Sequence, residues 1–251
     1  MGAGSLTMDE LPDRSNRLVS CRRLKRPMAF TLIEILVVVG IMALLVAILL
    51  PSLSRARIRA RVVQVHSDLR QVTTALDSYM LCHRDKLPPT RQSCGSNILY
   101  QLPIELADQK YLPHSPDALK RSFLADVFNP GQTYRYRAPG PVWQNGTLWD
   151  QPDRPWAPRS QIWVPDDFPN CRSESGQYYK LLPGEGKCPV NYAVWSTGPD
   201  PQSPKFPRIP DTDQVDENRL PLPRSCWLER TGDTGVITHF RSASGLLFQS
   251  P

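Results

Sequence analysis

The chain has 251 residues, 40% hydrophobic and 22% charged, with 30 Lys and Arg against 24 Asp and Glu. That length accommodates a long helix and one globular domain of ordinary size, and excludes two large domains. Residues 1–29 hold six basic and three acidic residues, so the rest of the chain is only about +3 and its charge makes no case for nucleic-acid binding.

In chain order, the first feature is the basic segment Cys21 to Ala29, with Arg22, Arg23, Lys25 and Arg26. It runs straight into Phe30 to Leu53, FTLIEILVVVGIMALLVAILLPSL, an apolar stretch with one charge, Glu34, in its first turn. At about 1.5 Å rise per residue, Ile35 to Leu53 covers roughly 28 Å, close to the hydrocarbon thickness of a bilayer, so the stretch reads as a transmembrane helix. It is too long for the apolar region of a secretory signal peptide. A carboxylate in such a helix is costly and asks for a specific partner.

A basic leader, a small residue and then FTLIE opening a hydrophobic helix closely resembles the class III signal of type IV pilins and type II secretion pseudopilins. The resemblance covers residues 22 to about 80. It implies that a prepilin peptidase cuts between Ala29 and Phe30 and methylates the new Phe30 amine. It also implies that Glu34 pairs with the terminal amine of a neighbouring pilin-like subunit during assembly on an inner-membrane platform. Ala29 stands in place of the family's usual Gly, and Pro51 sits where the family commonly has a helix-loosening proline.

Past Pro51, residues Ile58, Val62, Val65, Leu69, Val72, Leu76 and Tyr79 recur at steps of four and three, the stripe of an amphipathic helix that offers one face to a packed domain. Arg55, Arg57, Arg59 and Arg61 sit just beyond the apolar run, so basic residues flank it at both ends; they read as a solvated or headgroup-facing collar. From Pro88 the composition changes, because 23 of the 26 prolines fall between residues 88 and 251. Proline at that density predicts short strands, long loops and few helices. Short helices are expected at Ile98 to Gln109 and Ser115 to Ala125. Strands are expected at Thr133 to Arg137, Gln161 to Val164, Gln177 to Leu182, Val190 to Ser196, Ser225 to Arg230, Gly235 to Phe240 and Gly245 to Phe248. The expected fold class is α+β: a long transmembrane-to-amphipathic helix packed on a small antiparallel sheet with long Pro-rich loops. The boundaries are a leader at 1–29, a membrane helix at 30–53, its amphipathic continuation at 54–87 and a Pro-rich globular domain at 88–251.

Six cysteines occur, one of them Cys21. In an oxidising compartment the short spans favour bridges Cys82 with Cys94 and Cys171 with Cys188, leaving Cys226 over. The segment Asn191 to Asp200, NYAVWSTGPD, is a second point of similarity to the family, since in major pseudopilins a strand ending in a Ser-x-Gly-x-Asp-like turn leads into a loop that can bind calcium. On that resemblance Asp200, Asp211, Asp213 and Asp216 are calcium candidates, although the loop lacks EF-hand spacing and an acidic loop is usually solvated. Trp143, Trp149, Trp156 and Trp163 recur every six or seven residues; they either staple loops to the sheet or form a platform for sugar or a partner. No nucleophile elbow, metalloprotease helix, phosphate loop or dinucleotide fingerprint occurs, and His66, His83, His114 and His239 are isolated in sequence, with His66 and His83 expected on exposed helix faces.

The sequence therefore implies a structural rather than an enzymatic role. The expectation is a single-pass inner-membrane subunit with its C-terminal domain in the periplasm, assembled into the pseudopilus of a type II secretion system. A minor type IV pilin and a membrane-anchored binding module using the Trp-rich stretch are the alternatives.

Overall fold

A computed structural model of the chain describes residues 30–92, 100–112, 124–151, 154, 156–181, 186–229 and 234–251. The expected helix at Ser115 to Ala125 lies almost wholly outside them. The chain forms two compact units, Met1–Leu49 and Leu50–Pro251.

One helix, α1, runs from Leu32 to Cys82 with Pro51 inside it. Pro51 has no amide to donate and crowds the preceding turn, so the helix lacks one backbone bond there. The helix ends where Arg84 and Asp85 take positive φ, 57° and 61°, and the Asp85 amide turns back to the Met80 carbonyl at 3.0 Å. That closure satisfies a carbonyl the last turn would leave open, and Pro88 and Pro89 bar further helix.

Ten short strands follow among the described residues. They are β1 (Thr90–Gln92), β2 (Tyr100–Gln101), β3 (Arg135–Arg137), β4 (Val142–Gln144), β5 (Thr147–Trp149), β6 (Ile162–Pro165), β7 (Gly176–Tyr179), β8 (Val190–Ser196), β9 (Ile237–Ser242) and β10 (Leu247–Gln249). The central sheet has the order β10-β9-β8-β3 and is antiparallel throughout. A second sheet, β2-β1-β4-β5, contains a parallel pair, β1 with β4, and β6 with β7 make a separate hairpin. The architecture is thus α+β, but not every strand pair is antiparallel. The β4–β5 turn is Asn145–Gly146, both at positive φ, the residue pair that a two-residue hairpin with right-handed twist prefers.

Strand β8 is buried on both faces. Tyr192 and Val194 join Val65, Leu69, Val72, Leu76 and Tyr79 of α1 in one core. Ala193 and Trp195 point the other way, into a second core with Ile162, Val164, Phe206, Leu220, Leu222, Trp227 and Phe240. This is the period of two along a strand, with apolar residues in both registers because neither side meets water. The helix stripe is borne out from Val65 to Tyr79, while Ile58 and Val62 are only half-buried.

Two expected elements differ. The helix at Ile98 to Gln109 is strand β2 followed by a single turn, α2 (Glu105–Asp108), because Pro103 interrupts the run and the Leu102 amide is spent on Thr133 Oγ1 at 3.1 Å. The strand at Ser225 to Arg230 is a 3₁₀ turn, Arg224–Cys226, entered through Pro223, with one isolated bridge from Trp227 to Val236. Arg230 lies outside the described residues.

Leu69 is fully buried and Val63, on the same helix, is 67% exposed. Truncating Leu69 to Ala should destabilise the protein by about 2–5 kcal/mol, whereas Val63→Ala should change stability by no more than about 0.5 kcal/mol. Chemical denaturation of the detergent-solubilised chain measures both.

Candidate functional site

The apolar half of α1 is unlike the rest of the chain. From Leu32 to Leu53 every large apolar side chain is exposed, from Val38 at 47% to Leu32 at 83%, and none of the window apolar enough to cross a membrane is buried. A helix apolar on all sides with no protein packed on it is matched to hydrocarbon rather than to water. One helix among the described residues is long and apolar enough to cross a membrane, and it is α1.

Its first turn holds Glu34 in a reciprocal cap. The Thr31 amide donates to Glu34 Oε2 at 2.8 Å, the Thr31 hydroxyl donates to the same oxygen at 2.9 Å, and the Glu34 amide donates to Thr31 Oγ1 at 3.3 Å. This is a capping box, in which a Thr and a Glu three residues later each satisfy a donor the helix start leaves open. The sequence reading missed it, although Thr31-x-x-Glu34 at the head of an apolar run is its signature. Glu34 Oε1 takes no hydrogen bond among the described residues, so one carboxylate oxygen is committed and one is available. Phe30 is 78% exposed; Ala29 lies outside the described residues.

The other predicted residues are dispersed. Asp200 Oδ1 caps the Gln202 amide at 3.0 Å, and Asp216 Oδ1 caps the Asn218 amide at 3.0 Å. Asp213 is an exposed neighbour of Arg208 at 4.0 Å, and Asp211 is exposed with φ at 70°. They are not gathered as calcium ligands: no group of three or more His, Cys, Asp or Glu suited to a metal occurs among the described residues. The Ser-x-Gly-x-Asp turn serves the backbone instead. Ser196 Oγ accepts the Gly198 amide at 3.1 Å and donates to Asp126 at 2.8 Å, and a Cβ on Gly198 would lie 2.1 Å from the Gly235 carbonyl oxygen. Only glycine permits that approach.

Cys171 and Cys188 are not bridged to each other; both are free thiols buried in the second core beside Cys226. Burial pushes the Cys171 thiol up to about 12 and those of Cys188 and Cys226 up to about 11, so all three behave as small apolar side chains. Cys82 is an exposed free thiol at the end of α1, and its expected partner Cys94 lies outside the described residues. The tryptophans do not line up as a platform. Trp163 is buried under Arg219, Trp143 donates to Glu105 Oε1 at 3.2 Å with Arg91 over its ring, Trp149 is half-buried, and only Trp156 is exposed.

The sequence also missed a histidine pair. His66 on α1 and His239 on β9 meet at 3.0 Å, Nδ1 to Nε2, with His239 fully buried and His66 half-buried beside the backbone oxygen of Pro251. His83 is half-buried as well, stacked on Tyr79 at 3.8 Å. One proton serves the His66–His239 contact, so two charged rings would break it. Burial, then the proximity of His66 and Arg70, holds His239 down to about 3; burial likewise lowers His66.

No protein-family model, curated protein or solved structure matches the chain.

The histidine pair carries a pH dependence of defined sign. Above pH 6.5 both rings are neutral whether the chain is folded or not. Below it the unfolded rings take protons that folded His239 refuses until about pH 3, so stability falls as pH drops through that window, by up to about 1.4 kcal/mol per pH unit for each such ring. Denaturation midpoints of the parent should fall between pH 6.5 and 5, and His239→Leu should flatten the slope by close to one proton. A parent midpoint constant over that range contradicts a neutral buried pair.

Proposed function

We propose that the chain is a pilin-like structural subunit: cut after Ala29 by a prepilin peptidase, N-methylated at Phe30, held in the inner membrane by the apolar half of α1, and assembled into the periplasmic pseudopilus of a type II secretion system. The observation that carries this reading is the pairing of an entirely unpacked apolar helix with a lone carboxylate at its first turn. In a plain anchor the carboxylate would serve only the cap. In an assembly subunit it supplies the one charge that registers each helix against its neighbour's Phe30 amine. With one oxygen held by Thr31, Glu34 is oriented at the helix end while its other oxygen stays open to an incoming ammonium, and in a low-dielectric setting that contact is strong only with such geometry. The domain that follows offers a folded outer surface on the stripe of the same helix.

The capping box separates two roles of Glu34, and two variants resolve them. Glu34→Gln keeps an acceptor for the Thr31 amide but has no charge; Glu34→Leu has neither. Both should insert and be processed, since each makes the span more apolar, and both should fail to enter filaments in crosslinking or sheared-surface assays. Assembly by Glu34→Gln at the parent's level would assign Glu34 to the cap alone and remove the assembly role. Mass spectrometry of the mature terminus should read N-methyl-Phe30; any other terminus overturns the processing step.

A further inference from the structure

The four arginines after the apolar run, Arg55, Arg57, Arg59 and Arg61, are all exposed and have no ion-pair partner among the described residues. No Asp or Glu occurs from Ile35 to Ser67, so no carboxylate stands within reach on the preceding or following turn. The first acid beyond, Asp68, is taken by the Tyr134 hydroxyl at 2.7 Å. Four uncompensated guanidinium groups thus follow one another along about 9 Å of helix, beginning two residues after Leu53.

Their spacing decides what they fit. At about 100° per residue, a charge at every second position steps about 200° round the axis, so Arg55 and Arg59 project to one side and Arg57 and Arg61 to the opposite side. A protein partner packs on one face of a helix and would reach a single pair. A solvated surface has no need to confine four cations to two turns directly beyond the span. A sheet of phosphates pierced by the helix meets all four. The rise from Arg55 to Arg61 is close to the depth of one headgroup layer, and arginine stems reach several ångströms along the axis in either direction.

We propose that these four arginines form a ring that binds the phosphate groups of anionic phospholipids in the leaflet from which α1 emerges. Guanidinium groups take phosphate oxygens two at a time, which favours arginine over lysine for this contact. The ring also offsets a topological penalty: basic residues flank the span on both sides, and an anionic headgroup layer stabilises the exported set that the positive-inside preference disfavours. The ring rests on the membrane residence of α1, and the topological point on its orientation, both components of the function proposed above.

The test uses the full chain in vesicles of phosphatidylcholine and phosphatidylglycerol in equal amounts. Spin-labelled lipids report which headgroup is immobilised at the protein, and alkaline carbonate extraction reports insertion. The parent should immobilise phosphatidylglycerol over phosphatidylcholine by at least about threefold at low salt, less at high salt. Arg55→Gln with Arg59→Gln, and Arg57→Gln with Arg61→Gln, should each remove a similar share of that preference, and all four together should leave only the share that Arg22, Arg23, Lys25 and Arg26 contribute at the other flank; a preference unchanged by all four overturns the ring. Insertion with no lipid preference overturns the ring and leaves the membrane helix standing. Loss of the whole preference with one pair and none with the other overturns the ring in favour of a one-sided contact. Carbonate-soluble parent protein overturns membrane residence, and the ring with it.

Discussion

The contact between the Val65–Tyr79 stripe of α1 and the β3-β8-β9 face is the constraint on which the folded domain depends. The strands are too short to be stable alone; three-residue strands gain little from hydrogen bonding unless one face of the sheet is buried. The helix supplies that burial, and its polar residues fix the register. Asp68 accepts from Tyr134 at 2.7 Å, Asp77 accepts from Tyr192 at 3.0 Å and from Arg241 Nε at 2.8 Å, and His66 meets His239. Apolar contact alone tolerates sliding along the helix, whereas displacement by one turn would strand each of these buried or half-buried groups without its partner. Burial pushes the phenols of Tyr134 and Tyr192 well above their ordinary range, and the neighbouring carboxylates push them further, so both stay neutral donors.

On the far side of β8 the long segment from Thr197 to Pro223 is organised by cations that belong to the chain. Arg137 is fully buried over the Trp195 ring and donates to the carbonyls of Asn218 at 2.7 Å, Leu220 at 3.2 Å and Glu217 at 2.6 Å. Arg135 pairs with the Glu217 carboxylate at 3.1 Å. The calcium candidates Asp200, Asp211, Asp213 and Asp216 take no part in this convergence of carbonyls. In this chain the convergence is answered by a guanidinium from β3, while Asp200 and Asp216 turn to backbone amides nearby.

Periodicity made α1 and β8 legible. Both elements are long enough for several repeats, and in both the period reports packing directly: the stripe from Val65 to Tyr79 and the strand Val190–Ser196 stand where the sequence placed them. What failed was decided by single contacts across the chain. Nothing local tells that Trp227 bridges Val236 only once, or that the Leu102 amide has Thr133 for a partner and so no helix to join. Loop length favours a bridge between Cys171 and Cys188, yet both are apolar filling in a core that sequence spacing does not reveal. His66 is isolated in sequence, which favours an exposed helix position, and its partner lies 173 residues away. Two signals were present and unread, the Thr31-x-x-Glu34 cap and the Asn145–Gly146 turn, and both are rules of a few residues that need no tertiary information.

The two parts of α1 solve opposite problems with the same backbone. An apolar stripe about one face, as from Val65 onward, is a helix whose other sides meet water, and its burial against strands is complete within the domain. An apolar surface on every side, as from Leu32 to Leu53, leaves no face that water suits. Such a surface is satisfied by lipid or by copies of itself, and lipid tails are as apolar as the side chains, so apolar burial alone gives helices little reason to leave one for the other. A directional contact must supply the preference. Glu34 is the one charged side chain in that stretch, and in the assembly role proposed above the capping box would hold it already oriented, with less side-chain freedom to lose on meeting a cation. The first turn is also the least costly place in the span for a carboxylate: there its desolvation is least and the helix amides favour negative charge.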